Sequence, residues 1–351
     1  MQTLRVNLPG HEYDIRIGEG LLDETGKMVG EIFGGRKIAV VTDENVYALY
    51  AGRLGSSLES AGYDYAFITI PPGEASKSFA CLERVCDGLL DRNITKSDLV
   101  IALGGGVVGD LAGFAAAVWL RGVPVVQIPT TLLAQVDSGV GGKTAVNLPR
   151  GKNLIGAFHQ PWMVIADTGC LGTLSGRGFA DGMAEVIKYG AALDAGLFDI
   201  LERDSAESVK RNIAGIVYVC CDLKRSVVER DEHDEGPRMV LNFGHTFGHA
   251  IEKRWNYERY THGEAVALGM VIAARLGERA GITAPGTSDR IRDVAEKFGL
   301  PSEAGIDARH LLETVRADKK TRGESIHFVF IKKPGEYHIK KMKIDELGDL
   351  I

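Results

Sequence analysis

Three of the nine histidines, His245, His249 and His262, crowd into residues 241–264, LNFGHTFGHAIEKRWNYERYTHGE. Imidazole nitrogens bind zinc-like cations and move protons near neutral pH. Phe243, Phe247 and Ile251 recur at four-residue spacing, so the middle of this stretch reads as a helix with one apolar stripe. His245 and His249 are also four apart and leave one helical face about a turn from each other, which is how a helix offers two nitrogens to one divalent cation. Two histidines in this pattern are, taken alone, more often surface or core residues than ligands. Their company shifts the balance. His262 stands beside Glu264 at the head of a second apolar helix, residues 265–280, and GMAEVIKYG upstream sets Glu185 and Lys188 three apart on one helix face. Histidine and carboxylate ligands from separate helices suit a catalytic zinc site that keeps positions open for substrate. Spacing leaves open which of these residues hold the metal. Gly244 and Gly248 flank the histidines although glycine costs a helix interior roughly 1 kcal/mol against alanine. A neighbouring backbone or a ligand must come close there.

A second set of residues has the chemistry of a nucleotide site. Gly104-Gly105-Gly106-Val107-Val108-Gly109-Asp110 sits where a buried strand, 99–103, gives way to a helix, 107–118. Missing side chains let a pyrophosphate approach the backbone, and the helix N-terminus supplies N–H donors and partial positive charge. The run is neither GxGxxG nor a Walker loop, so its strand-before, helix-after context carries the argument. Asp43 and Asn45 follow another strand, where an acid or amide can take ribose hydroxyls. Gly73-Glu74-Ala75-Ser76-Lys77 and the pair Thr130-Thr131 follow two more. Each alone is more often a turn or helix cap; four strand ends on one side favour a nucleotide site. Asp137 to Thr144, DSGVGGKT, and then Gly151-Lys152-Asn153 space glycine-flanked lysines, Lys143 and Lys152, as an anion cradle or a solvated loop. The apolar flanks argue against full solvation.

The elements that must position these groups follow a simple order. Strands at 3–8 and 13–17 surround Pro9-Gly10. Strands at 37–42, 65–70, 99–103, 125–128 and 163–166 then alternate with helices at 46–61, 78–92 and 107–118. Short β-branched strands between helices predict a doubly wound parallel sheet, α/β and Rossmann-like, covered on both faces. Helical periods dominate beyond it, at 179–204, 207–229, 240–255, 265–280, 288–298 and 309–319, before a strand pair at 326–331 and 337–339. The expected division is a nucleotide-binding α/β domain, 1–174, and a mainly helical metal- and substrate-binding domain, 175–351.

The chain has 351 residues, enough for two cores. Its formal charge of −6 argues against general nucleic-acid binding. Five cysteines without a CxxC give neither a disulfide framework nor a zinc ribbon. No signal-peptide core opens the chain, and the uncharged apolar run at 111–120 is far short of the roughly 20 residues of a membrane helix. A cytoplasmic protein is expected.

Together the motifs resemble the sugar phosphate cyclases, most closely the 3-dehydroquinate synthase family. The likeness rests on GGGVVGDLAGFAA, RGV, QIPTTLLAQVDSGVGGKTAVN, GKNLIGAFHQP, GMAEVIKYG, LNFGHTFGHAIE and HGEAVALGM in that order. It implies a bound NAD and zinc, or cobalt in its place, and conversion of 3-deoxy-D-arabino-heptulosonate 7-phosphate to 3-dehydroquinate and phosphate. The implied metal ligands are Glu185, His245 and His262, with His249 moved from ligand to proton transfer. NAD is implied to lie against Asp43, Asn45, Gly73, Glu74, Lys77, Gly105, Gly106, Val107, Val108, Gly109, Asp110, Thr130, Thr131, Lys143, Lys152 and the run Cys170, Leu171, Gly172, Thr173. The substrate is a carboxylate and a phosphate at once, so a net-acidic chain must gather cations: Arg121, Lys143, Lys152, Lys188, Lys224, Arg238 and Lys319 are the candidates. Asn153 and Asn242 match positions holding substrate hydroxyl or carboxyl groups, and Asp137 matches an active-site acid. The expected partners are this small anionic sugar phosphate and a second copy of the chain, with no nucleic acid or membrane. The expected arrangement has the dinucleotide of the first half facing the cation of the second.

One run departs from the family pattern. Thr173-Leu174-Ser175-Gly176-Arg177-Gly178 lacks the proline and acid of the usual Thr-Leu-Pro-x-Arg-Glu, which bears on the turn between domains. Two other readings compete: a metal-dependent polyol dehydrogenase, which would accumulate NADH, and a catalytically silent NAD-binding regulator, for which Lys188 would be dispensable.

Overall fold

A computed structural model describes residues 1–305, 307–319 and 325–351, the last three before the second gap by backbone alone. It contains two compact units: 1–174 with 224–233, and 175–223 with 234–351.

The first unit is built on a seven-stranded sheet. Its strands are β1 (Gln2–Leu8), β2 (His11–Gly18), β3 (Lys37–Asp43), β4 (Asp64–Ile70), β5 (Leu99–Gly104), β6 (Val125–Pro129) and β9 (Met163–Asp167), in the order β1-β2-β9-β6-β5-β3-β4. Edge strand β1 pairs antiparallel with β2, and the remaining pairs are parallel. Helices α1 (Thr25–Gly30), α2 (Glu44–Ser60), α3 (Phe79–Asp91) and α4 (Gly106–Val118) cover it. Alternation along the strands divides the core. Ala39, Val41, Val100 and Ala102 join Val85, Leu89, Leu111 and Ala115 on one face. Ile38, Val40, Leu99 and Ile101 join Met28, Leu54 and Leu58 on the other. Neighbouring β3 and β5 lead to opposite sides of the order, so their carboxyl ends form the switch point where such sheets bind ligands.

The stretch read as an anion cradle is more ordered than expected. A π-turn at Ala134–Ser138 leads into an antiparallel hairpin of β7 (Lys143–Leu148) and β8 (Gly151–Phe158). Thr144 of β7 meets Gly113 of α4, where a Cβ would fall 2.5 Å from its methyl carbon.

The second unit holds α5 (Gly176–Leu193), α6 (Ala195–Arg203), α7 (Ala206–Arg211), the start of α8 (Ile213–Arg230), α9 (His245–Arg254), α10 (His262–Arg279), α11 (Thr287–Lys297), α12 (Ala308–Lys319), a hairpin of β10 (Ser325–Lys333) and β11 (Glu336–Lys343), and α13 (Ile344–Gly348). Three expected helices are shorter. The 179–204 helix breaks at Asp194, whose side chain caps α6 by accepting from Leu197 N at 3.0 Å. The 207–229 helix breaks at Asn212. The 240–255 helix begins at His245, because Gly244 is left-handed (φ 83°) after a 3₁₀ turn at Pro237–Asn242. No helix among the described residues is long and apolar enough to cross a membrane.

Candidate functional site

Glu185, His245 and His262 come from three helices of the second unit, and their ligand atoms lie within 4.8 Å of one another. α5 presents Glu185 and Lys188 on one buried face, 0% and 1% exposed, as an ion pair. Ser175 caps this helix by accepting from Gly178 N at 3.1 Å, so the altered Thr173–Gly178 run still ends in a capped helix start. His245 is the first residue of α9 and His262 the first of α10. Ring nitrogens Nε2 of His245 and His262 stand 3.7 and 3.5 Å from Glu185 Oε1. Tetrahedral ligands about 2.1 Å from a zinc ion are separated by about 3.4 Å, so this donor set fits one divalent cation.

Each ring is held from behind. His245 Nδ1 is 3.2 Å from the Phe243 carbonyl, and His262 Nδ1 is 3.6 Å from Glu252 Oε2. Burial lowers the His245 pKa to about 3 against the pull of Glu185, so this imidazole is neutral. Burial also opposes charge on His262, but hydrogen bonding to Glu185 and Glu252 outweighs it and carries the pKa up to about 10. A proton therefore sits on His262 between two carboxylates, in the electrostatic role a cation would take. His249, Glu252 and His262 form a second grouping within 4.8 Å, sharing His262 and including an exposed His249.

The glycines explain how three helices meet so closely. A Cβ on Gly248 would stand 3.2 Å from the Ala265 carbonyl oxygen, and one on Gly269 would collide with the Gly244 carbonyl. α9 and α10 thus touch backbone to backbone, the close approach that Gly244 and Gly248 suggested. Phe243, Phe247 and Ile251 are fully buried beneath. At the head of α10, Asp181 of α5 accepts from Gly263 N at 2.6 Å, and Thr261 with Glu264 forms a capping box. Arg177 makes a bidentate pair with Glu264 at 2.7 Å. These contacts fix where His262 stands relative to Glu185.

In the first unit the expected cofactor residues lie at or after the carboxyl ends of parallel strands, except Lys143 and Lys152, which stand on the antiparallel β7–β8 hairpin. Gly105 caps α4 directly after β5, and Cβ atoms on Gly105 and Gly106 would meet Thr131 at 3.1 Å and Ser138 at 2.9 Å. Val107 and Val108 continue α4; Gly109 lies against Gln127, and Asp110 pairs with the buried Lys77. Burial raises the Asp110 pKa, with Lys77 pulling against it. Asp43 caps α2, its Oδ1 accepting from Asn45 N and Val46 N, and Asn45 is exposed. Gly73 has φ 96°, and the Glu74 carboxylate accepts from Asn147 at 2.7 Å. Thr130 is buried and Thr131 half-buried. Cys170, Leu171, Gly172 and Thr173 form a 3₁₀ turn that buried Tyr50 ties down, its hydroxyl 3.0 Å from the Cys170 carbonyl and 2.5 Å from Thr173 Oγ1.

The candidate substrate groups belong to both units. Lys224 donates to the Asp137 carboxylate and carbonyl, both at 2.6 Å. Lys143 is exposed, Lys152 half-buried, and Asn153 exposed at φ 56°. In the second unit Arg238 is buried and Asn242 exposed. Arg121 lies exposed beyond the C-terminus of α4, a helix that spans roughly 20 Å at 1.5 Å per residue. The Lys319 side chain lies outside the described residues. A cleft of about 800 Å³ lined by Phe33, Val123, Phe158, His159 and Trp162 contains none of the expected site residues. Sequence reasoning missed Glu252, Asp181 and Tyr50. Glu252 had a signal: it is seven residues after His245 and three after His249, on the same helix face.

Comparison with known proteins gives consistent matches. The family model described as 3-dehydroquinate synthase N-terminal matches residues 67–181, and that described as 3-dehydroquinate synthase C-terminal matches 182–321. A 3-dehydroquinate synthase of Clostridium beijerinckii is 47% identical over 347 residues, spanning 98% of this chain and 99% of that protein. The solved 2-epi-5-epi-valiolone synthase of Streptomyces hygroscopicus, with NAD+ and Zn2+ bound, superposes with a TM-score of 0.88 at 25% identity, covering 98% of this chain and 97% of its own. A 2-deoxy-scyllo-inosose synthase, complexed with carbaglucose-6-phosphate, NAD+ and Co2+, also gives 0.88, at 22% identity and 99% coverage of both chains; it speaks for the fold alone.

Proposed function

The chain belongs to the 3-dehydroquinate synthase family, and from that premise we propose that it is a phosphorus–oxygen lyase converting 3-deoxy-D-arabino-heptulosonate 7-phosphate to 3-dehydroquinate and phosphate. The observation that carries this reading is the convergence of Glu185, His245 and His262 at separations suited to one cation. In this reading those three residues hold zinc or cobalt, and the strand ends of the first unit, from Asp43 through Gly105 and Lys77 to Thr173, hold NAD. When bound, NAD supplies reversible hydride transfer and the cation supplies a Lewis acid for the substrate hydroxyl.

The chain's own residues then have distinct tasks. Lys188 balances the buried Glu185 carboxylate and presents an ammonium group at the metal site. To exposed His249, whose ring centroid is 5.4 Å from that of His245, this reading gives proton transfer at the substrate. Arg238 offers a planar fork for carboxylate or phosphate oxygens, and Asn242 an amide for a substrate oxygen. Asp137, held by Lys224, with Lys143, Lys152 and Asn153, completes the proposed polar set. The reading also takes the enzyme to be a cytoplasmic homodimer.

Incubation with the heptulosonate phosphate, NAD and zinc tests it. One phosphate per substrate consumed, with no net absorbance at the NADH band, is expected. NADH accumulating without phosphate release would instead indicate a polyol dehydrogenase.

A further inference from the structure

We infer that Glu252 is a positioning residue for the metal site, orienting His262 so that its Nε2 lone pair meets the cation. The inference rests on the metal site proposed above. With a cation between Nε2 and Glu185 the imidazole would be neutral, with its lone pair on Nε2, and Nδ1 would be the nitrogen left facing an acceptor and keeping the proton. His262 Nε2 faces Glu185 at 3.5 Å while Nδ1 faces Glu252 at 3.6 Å. His245 shows the same division, with Nε2 toward Glu185 and Nδ1 against the Phe243 carbonyl. His262 begins its helix, so the carbonyl two residues back is Tyr260's, and the structure records no bond from the ring to it. A side-chain carboxylate stands there instead.

Glu252 is 3% exposed, and burying a carboxylate is costly unless something pairs with it. It also lies two turns after His245 on α9. One short helix therefore carries a ligand and the acid that orients the ligand on α10. Acceptors behind metal-bound histidines set ring orientation and basicity, and losing one typically weakens metal binding 10–100-fold.

The test is zinc affinity, measured by competition with a chromophoric chelator on the full-length apo protein, together with the visible spectrum of the Co2+-loaded form. Glu252→Gln keeps the side chain's shape and is expected to bind one zinc about 10–100-fold more weakly, with an unchanged cobalt spectrum. Glu252→Asp keeps the charge but shortens the reach and is expected to fall between. Wild-type zinc affinity in a folded Glu252→Gln protein would overturn the inference. So would loss of stoichiometric binding with an altered cobalt spectrum, because Glu252 would then be a ligand, with His249 as its partner. Glu185→Ala and His262→Ala serve as the separate check on the site itself. If both retain wild-type zinc affinity, the metal-site reading has failed, whatever Glu252 does.

Discussion

Replacing Gly269 with alanine tests whether the metal site depends on backbone contact between α9 and α10. In a solvent-facing helix the change is favourable by about 1 kcal/mol, because alanine restricts the unfolded chain and glycine does not. At Gly269 the added methyl group would overlap the Gly244 carbonyl oxygen and stand 2.8 Å from Gly248 N and 3.0 Å from Gly244 C. All three are backbone atoms, so no rotamer change relieves the clash and the helices must part. Overpacking of this kind costs about 1–3 kcal/mol, occasionally more. With the upper value, less the propensity gain, the net loss is about 2 kcal/mol, or roughly 4–8 °C in Tm for a unit of this size. Gly52 on α2 is the control: it is exposed, with no atom within 4 Å of its would-be Cβ. Gly52→Ala should raise Tm while Gly269→Ala lowers it, in calorimetry on the metal-free protein. Zinc affinity should fall in Gly269→Ala alone, since the same contact spaces His245 from His262. A Tm gain in both variants, with zinc binding intact, would refute the packing argument.

Three further predictions concern other contacts. Lys188→Met strips the counter-charge from a fully buried carboxylate, which typically costs 3–5 kcal/mol; urea unfolding should show most of that loss in the metal-free protein and much less with zinc bound, whereas equal losses in both forms would count against a cation beside Glu185. The Arg177 guanidinium holds the Glu264 carboxyl below its ordinary range, so the pair's contribution is full above the unfolded carboxylate pKa and lost as pH falls through the lower folded value. Arg177 is 57% exposed, so solvent screening limits this to below about 1 kcal/mol; Arg177→Gln should flatten the acid limb of a Tm-against-pH curve, and an unchanged limb would disprove the link. Tyr50→Phe removes the hydroxyl that ties down the Cys170–Thr173 turn, and a loss near 1 kcal/mol would weaken NAD binding about fivefold, readable by fluorescence titration. An unchanged affinity would remove that turn from the NAD site.

Much of the first unit was legible because its signals are local. Short apolar strands bounded by turn residues gave a parallel sheet, and the glycine run marked the β5–α4 junction. Asp43 illustrates the limit: its carboxylate caps α2, a role that sequence cannot separate from binding a ribose, because both use the same oxygens. The β7–β8 hairpin was missed because its glycines and lysines read as loop, while its pairing depends on packing against α4. Helix periodicity ran through Gly244 and Asp194 because it does not register a left-handed residue or a side-chain cap. The metal cluster was half visible. His245 and His249 share a face by spacing, but the meeting of His262 with Glu185 depends on three helices and on glycines whose partners lie elsewhere in the chain. Resemblance, not spacing, is what leaves His249 out of the proposed ligand set.

The most direct test of the central claim is anomalous diffraction at the zinc edge from crystals of the zinc-loaded protein. The predicted result is one site, with Glu185 oxygen and the Nε2 atoms of His245 and His262 about 2.0–2.2 Å away. A peak held by His249 and Glu252, or no ordered zinc near Glu185, would contradict it.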